Sequence, residues 1–222
     1  MVAARPISLR ITFLRFPAAG SPGSGKGLLL IGLLVWAGKE MRDRLTPRDL
    51  VTHRSGLPRH DAVWYNANVT RDELYQRLRF LEPSKDLRAL FQYNNLMFFT
   101  AGYLTERLTG MKWEDAVRMN LLQPLGMTAT NFSVNDMART SDYAMPYEKD
   151  DKGEVQDSTL RNLDTMGPAG SINSNAEEMA NYILLHLARG KFGGKQVLSE
   201  SDVLEMQSPQ MVTPTPVTHP EV

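Results

Sequence analysis

Cysteine is absent from all 222 residues, which excludes disulfides and thiolate metal ligands and leaves the redox compartment unread. There is no charge excess either. Lys plus Arg number 25 and Asp plus Glu number 25, so no overall field favours nucleic acid or an anionic membrane. Acids are missing entirely from Met1 to Lys39, where the only charges are Arg5, Arg10, Arg15, Lys26 and Lys39. This bias sets residues 1–44 apart, either as a targeting segment or as sequence foreign to the folded domain. The apolar run Leu28–Ala37 falls short of the roughly 20 residues that a membrane-spanning helix needs. It has the length of a signal-peptide core, but it starts late and no A-x-A site follows it, so a buried helix or strand is the simpler reading. The four histidines, His53, His60, His186 and His219, form no pair at a metal-binding helical spacing. Trp36, Trp64 and Trp113 read as core or cleft-edge aromatics, and nothing in the sequence asks for a cofactor.

What is present becomes well punctuated from Leu45 onward. Thr46-Pro47-Arg48-Asp49 reads as a helix start, with Thr as N-cap and Pro in the first turn, stopping near Gly56-Leu57-Pro58. Thr70 and Glu73 form a capping box for a helix through Leu81, with Leu74 and Leu78 on one face and Pro83 beyond its end. Leu96 to Thr109 is the strongest helix: Leu96, Phe99, Tyr103, Leu104 and Leu108 make its stripe, and Gly110 its stop. A second helix is expected from Trp113 to Leu122, ended by Pro124 and Gly126. A third opens on a Ser174–Glu177 capping box and runs to Arg189 and Gly190, and a short one covers Ser199 to Gln207. The polar stretch Asn131–Ser171 has room for one or two short strands. Residues 213–222 read as a loose Pro-rich tail, outside a domain spanning 45–212.

Four phrases, in order, resemble the serine β-lactamase-like family, which includes class C β-lactamases, penicillin-binding proteins and esterases. Leu50-Val51-Thr52-His53-Arg54-Ser55-Gly56-Leu57 is similar to its L-L-T-H-x-S-G-L segment, and Tyr93-Asn94-Asn95 to its Y-x-N element. Pro124-Leu125-Gly126-Met127 matches its P-L-G-M turn. Gly167–Ser174 followed by Glu177–Ala180 looks like its A-G-G-x-x-S-x-x-D-x-A segment. The resemblance implies an α/β fold, an antiparallel sheet flanked by helices with a helical subdomain, of which this chain covers mainly the helical part. It also implies a serine hydrolase acting through an acyl-enzyme on amide or ester bonds, with Tyr93 and Asn95 as site residues and a small-molecule substrate. Members are commonly exported, but no clean export signal appears here, so localisation is left open. His53 and Ser55 are expected to support the local fold, and Gly167 and Gly170 to meet backbone needs.

Two of the family's parts are missing. A serine hydroxyl must lose its proton as it attacks, and S-x-x-K on a helix places the amine on the hydroxyl's face. No S-x-x-K occurs in the sequence; Ser24-Gly25-Lys26 has the wrong spacing, and aligning Lys26 with the family lysine puts Gly23 where the nucleophile belongs. No K-T-G or H-x-G strand follows either. An impaired or inactive copy, or a degenerate binding module, therefore stands beside the active hydrolase. A third reading is a P-loop phosphotransferase. Gly20–Lys26 fits G-x-x-x-x-G-K and is similar to the phosphate loop of adenylate kinases, but it lacks the final Ser or Thr that would hold magnesium. An incomplete sheet also implies exposed apolar surface, and hence self-association.

Overall fold

The computed structural model of the chain describes residues 44–213 except Asn66. The described part is mostly helical. Helix α1 (Pro47–Leu50) opens on a reciprocal capping box: Thr46 Oγ1 accepts the Asp49 amide, and the Asp49 carboxylate accepts the Thr46 amide at 2.9 Å. Helix α2 (Arg71–Arg77) is capped in the same way by Thr70 and Glu73, and tightens into a 3-10 turn over Leu78–Phe80. Leu74 and Leu78 are both buried, as their spacing predicts.

Helix α3 (Asn95–Thr109) closes on Gly110, whose φ of 70° is the left-handed conformation that glycine adopts without strain. Its buried stripe ends at Tyr103, which stacks on Tyr75 at 4.3 Å; Leu104 is only half-buried and Leu108 faces solvent. The helix expected over Trp113–Leu122 forms in two parts, α4 (Trp113–Val117) and a π-turn over Arg118–Leu122. Pro124 has no amide to extend the ladder, and the chain widens just before it, with the Gln123 amide donating to the Arg118 carbonyl at 2.9 Å. After α5 (Val134–Met137), β1 (Tyr147–Lys149) pairs antiparallel with β2 (Val155–Asp157), Glu148 opposite Gln156. This hairpin fills the polar stretch where short strands are expected.

Helix α6 (Gly167–Gly170) leads to α7 (Ala176–Leu187), whose N-cap is Asn175 rather than the expected Ser174. The Ser174 hydroxyl is instead engaged with Thr130 Oγ1 at 2.7 Å. The helix stops at Leu187, ahead of the positive φ values of Arg189 and Gly190. A second hairpin, β3 (Lys191–Phe192) and β4 (Lys195–Gln196), precedes α8 (Glu200–Gln207), which Ser199 caps. The sequence alone predicts no strand over these residues. Among the described residues the sheets are these two separate two-stranded ones.

Two cores hold these elements. Leu50, Leu57, Leu74, Leu96, Met97 and Phe99 anchor the first, between α1, α2 and α3; Leu122, Leu125, Met127, Phe132 and Leu185 form the second, under α7. At Gly102, α3 comes close to α6. A Cβ there would lie 2.1 Å from Pro168 Cγ of α6. Helix propensity favours alanine over glycine by about 1 kcal/mol. Overpacking against a proline ring costs about 1–3 kcal/mol, so the clash should win. Gly102→Ala is therefore expected to lower the urea midpoint, and a midpoint equal to or above wild type would show that α3 and α6 are free to separate.

Candidate active-site face

The side chains that the sequence singles out meet where α3 begins. Asn94 caps α3 by accepting the Met97 amide at 3.1 Å, and its Nδ2 donates to the carbonyls of Leu57 and Pro58 at 2.9 and 2.8 Å. The Asn94 amide donates to His53 Nδ1 at 3.1 Å, and the Gln92 amide to the His53 carbonyl at 2.8 Å. Burial pushes the His53 imidazole down, toward the neutral form that keeps an acceptor nitrogen for this bond. The loop 53–58 is thereby stitched to the residues on both sides of Tyr93. His53 has the structural role expected of it.

Tyr93 itself is exposed, at 47 %. Its ring lies 4.5 Å from the His53 ring, and the Arg59 guanidinium sits 5.2 Å from its centroid. Arg59 is steadied by Asp61, with Nε to Oδ2 at 2.6 Å. Asn95 opens α3 and is partly buried. Asn94 still has extended backbone, at φ −147° and ψ 111°, but Asn95 is already helical. The two-residue alternation that would aim Tyr93 and Asn95 at one face therefore does not run through Asn95. Asn94, not Asn95, is the cap.

In α1, the side chain of Asp49 is fully buried. It accepts from Arg54 Nε at 2.6 Å, from Arg88 Nε and Nη2 at 2.9 and 2.8 Å, and from the Thr46 hydroxyl at 2.6 Å. Burial works to raise its carboxyl, yet the bonds from Arg88, Thr46 and Arg54 outweigh it and hold Asp49 far below the carboxylate range. Gly56 is required for contact: its φ is 84°, and a Cβ would sit 2.2 Å from the Lys85 carbonyl oxygen. Ser55 is buried and its Oγ accepts the Leu57 amide at 3.2 Å, so it builds the turn and is not presented as a nucleophile.

The last two family-like phrases meet at Glu178. Its carboxylate accepts the Ala129 and Thr130 amides at 2.7 and 2.8 Å and the Thr130 hydroxyl at 2.5 Å. This locks the chain after the Pro124–Met127 turn onto α7. Gly167 packs against Arg71, with a would-be Cβ 2.5 Å from Nη2, whereas Gly170 meets nothing and needs no glycine for space. Ser24, Lys26, the phosphate-loop candidate Gly20–Lys26 and the tail beyond Thr213 lie outside the described residues. Among the described residues no helix is long and apolar enough to cross a membrane, and no three His, Asp or Glu groups gather as a metal would need. The sequence held no signal for Arg59 over Tyr93 or for Arg88 on Asp49, because those pairs meet only through tertiary contact.

The family-like phrases thus come together as a helical subdomain with a tyrosine displayed at a helix start and stitched to a His-x-Ser-Gly loop. The Beta-lactamase family model matches residues 34–221, and the chain belongs to that family. It is 31 % identical over 185 residues to an unguisins hydrolase of Aspergillus campestris, covering 78 % of this chain and 33 % of the relative. The chain thus spans about a third of that relative's length. Among solved structures, a D-stereospecific amidohydrolase from Streptomyces sp. superposes with a TM-score of 0.68 at 22 % identity, over 85 % of this chain and 58 % of the other. An octameric penicillin-binding protein homologue from Pyrococcus abyssi does so with a TM-score of 0.61 at 21 % identity, over 82 % and 45 %. The fold is the β-lactamase-like α/β fold, and this chain presents its helical part.

Proposed function

We propose that this chain carries the tyrosine wall of an acyl-transfer site for amide or ester substrates, such as a β-lactam, a D-alanyl peptide or a small ester, and that it does not acylate unaided. The carrying observation is the fixing of Tyr93: Asn94 and His53 clamp the backbone on one side of it while its ring stays open to a ligand. The amidohydrolase and hydrolase names of its relatives support the substrate class. In the proposed chemistry a serine oxygen bonds to the carbonyl carbon as its proton passes to a base. That proton then leaves with the amine or alcohol, and water cleaves the acyl-enzyme. Tyr93 lines that reaction, with Asn95 two residues on in the first turn of α3, while the S-x-x-K pair that would start it is missing from the sequence.

Incubation with a fluorescent penicillin and with a fluorophosphonate, followed by intact-mass measurement, tests both halves. The expected result is no stoichiometric adduct, together with saturable penicillin binding that Tyr93→Ala weakens about tenfold, the scale of one lost anchoring contact. A stoichiometric adduct would overturn the claim that the chain cannot acylate, and its position would name the nucleophile, with Ser24 the first place to look. Binding that ignores Tyr93→Ala would remove Tyr93 from the site.

A further inference from the structure

The outward face of α7 has no cover among the described residues. The inward side carries Glu178, Tyr182 and Leu185 against the second core. The opposite arc carries Ala176, Met179, Ala180, Ile183, Leu184 and Leu187, all exposed, with Ile183 at 55 % and Leu187 at 75 %. At 3.6 residues per turn these six fall within about 140° of the helix, with Glu177 at its edge. A helix that is apolar on both faces is one that a folded protein buries.

We propose that this face is covered by the chain's own apolar run, Leu28–Ala37, which lies outside the described residues. The run carries no charged side chain, and the family match begins within it, at residue 34. The path of the chain leads there. The described part starts at Arg44, and four residues later Arg48 bonds to Glu205 and Gln210, at the far end of α8. Arg189, just beyond α7, pairs with Glu200 at the near end of α8 at 2.8 Å. Helix α8, about 12 Å long, thus lies between Arg48 and the end of α7. The seven residues from Ala37 to Arg44 reach up to about 25 Å, well beyond the length of α8. The exposed Leu204 of α8 offers an apolar step on the way.

The cysteine-free sequence makes the test clean. In the full chain, Leu30→Cys, Leu33→Cys and Leu34→Cys are each combined with Ile183→Cys, oxidised, and the monomer fraction is weighed without reductant. At least one pair is expected to close an intramolecular disulfide about tenfold faster than a control pairing Leu33→Cys with Lys149→Cys on the exposed strand β1, because docking raises the local concentration. Where Ile183→Cys disturbs folding, Leu187→Cys replaces it. Closure no faster than the control overturns the proposal. So does rapid formation of disulfide dimers by the Ile183→Cys single variant, which would give this face to a second copy.

Discussion

Asp49→Ala is expected to cost about 3–5 kcal/mol of folding stability, because removing one partner from a buried ion pair strands the other charge. The stranded groups are Arg54, whose side chain is only 15 % exposed, and Arg88, at 42 %. Arg88 can turn back to water, so most of the loss should come from Arg54 and from the uncapped α1. Asp49→Asn keeps the shape and an acceptor oxygen, and should lose less. The same carboxylate sets an acid limit. Its folded form is held below the carboxylate range, so its stabilisation is present above the unfolded value of about 4 and is lost as pH falls through and below it. Glu114 and Glu178 are also held low and add to the loss. Urea midpoints measured from pH 5 down to pH 2 should fall more steeply in the wild type than in Asp49→Asn. Parallel slopes would show that Asp49 is not the group being protonated.

Much of this arrangement is legible in the sequence where the physics is local. Thr46 with Asp49 and Thr70 with Glu73 cap their helices as their spacing predicts. Gly110 ends α3 where a left-handed residue is needed. At two helix starts, neighbouring residues compete for the cap. Asn94 and Asn95, like Ser174 and Asn175, offer adjacent candidates, and a distant partner decides between them. The carbonyls of Leu57 and Pro58 fix Asn94, and Thr130 occupies Ser174. The β3–β4 hairpin had a visible signal in Gly193-Gly194, whose φ values of 55° and 78° suit a two-residue turn. The site divides along the same line. The order of four phrases carries the family, whereas Arg59 over Tyr93, Arg88 on Asp49 and Pro168 against Gly102 join residues far apart in the chain.

Arg71→Met is expected to cost a similar amount, about 3–5 kcal/mol, by the same argument applied to the second junction. The Arg71 guanidinium bonds both Glu106 and Glu114, and donates to the Asp164 and Thr165 carbonyls at 2.7 and 3.3 Å. It joins α2, α3, α4 and the turn before α6 through one side chain that is 19 % exposed. Burial works to lower its pKa, but the two carboxylates hold it charged, and Glu114 is held low in return. Arg71→Lys should recover only part of the loss, since a single ammonium cannot serve two carboxylates and two carbonyls in the fork geometry of a guanidinium. The decisive variant is the triple one, Arg71→Met with Glu106→Gln and Glu114→Gln. It removes every charge while leaving Glu106's acceptor for the Trp113 amide, which it now meets at 3.0 Å. If stranded charge is the cause, the triple variant is more stable than Arg71→Met alone. If the triple variant is weaker still, the cost lies in the lost bonds to Asp164 and Thr165, and the junction acts through its carbonyl contacts instead of its ion pairs.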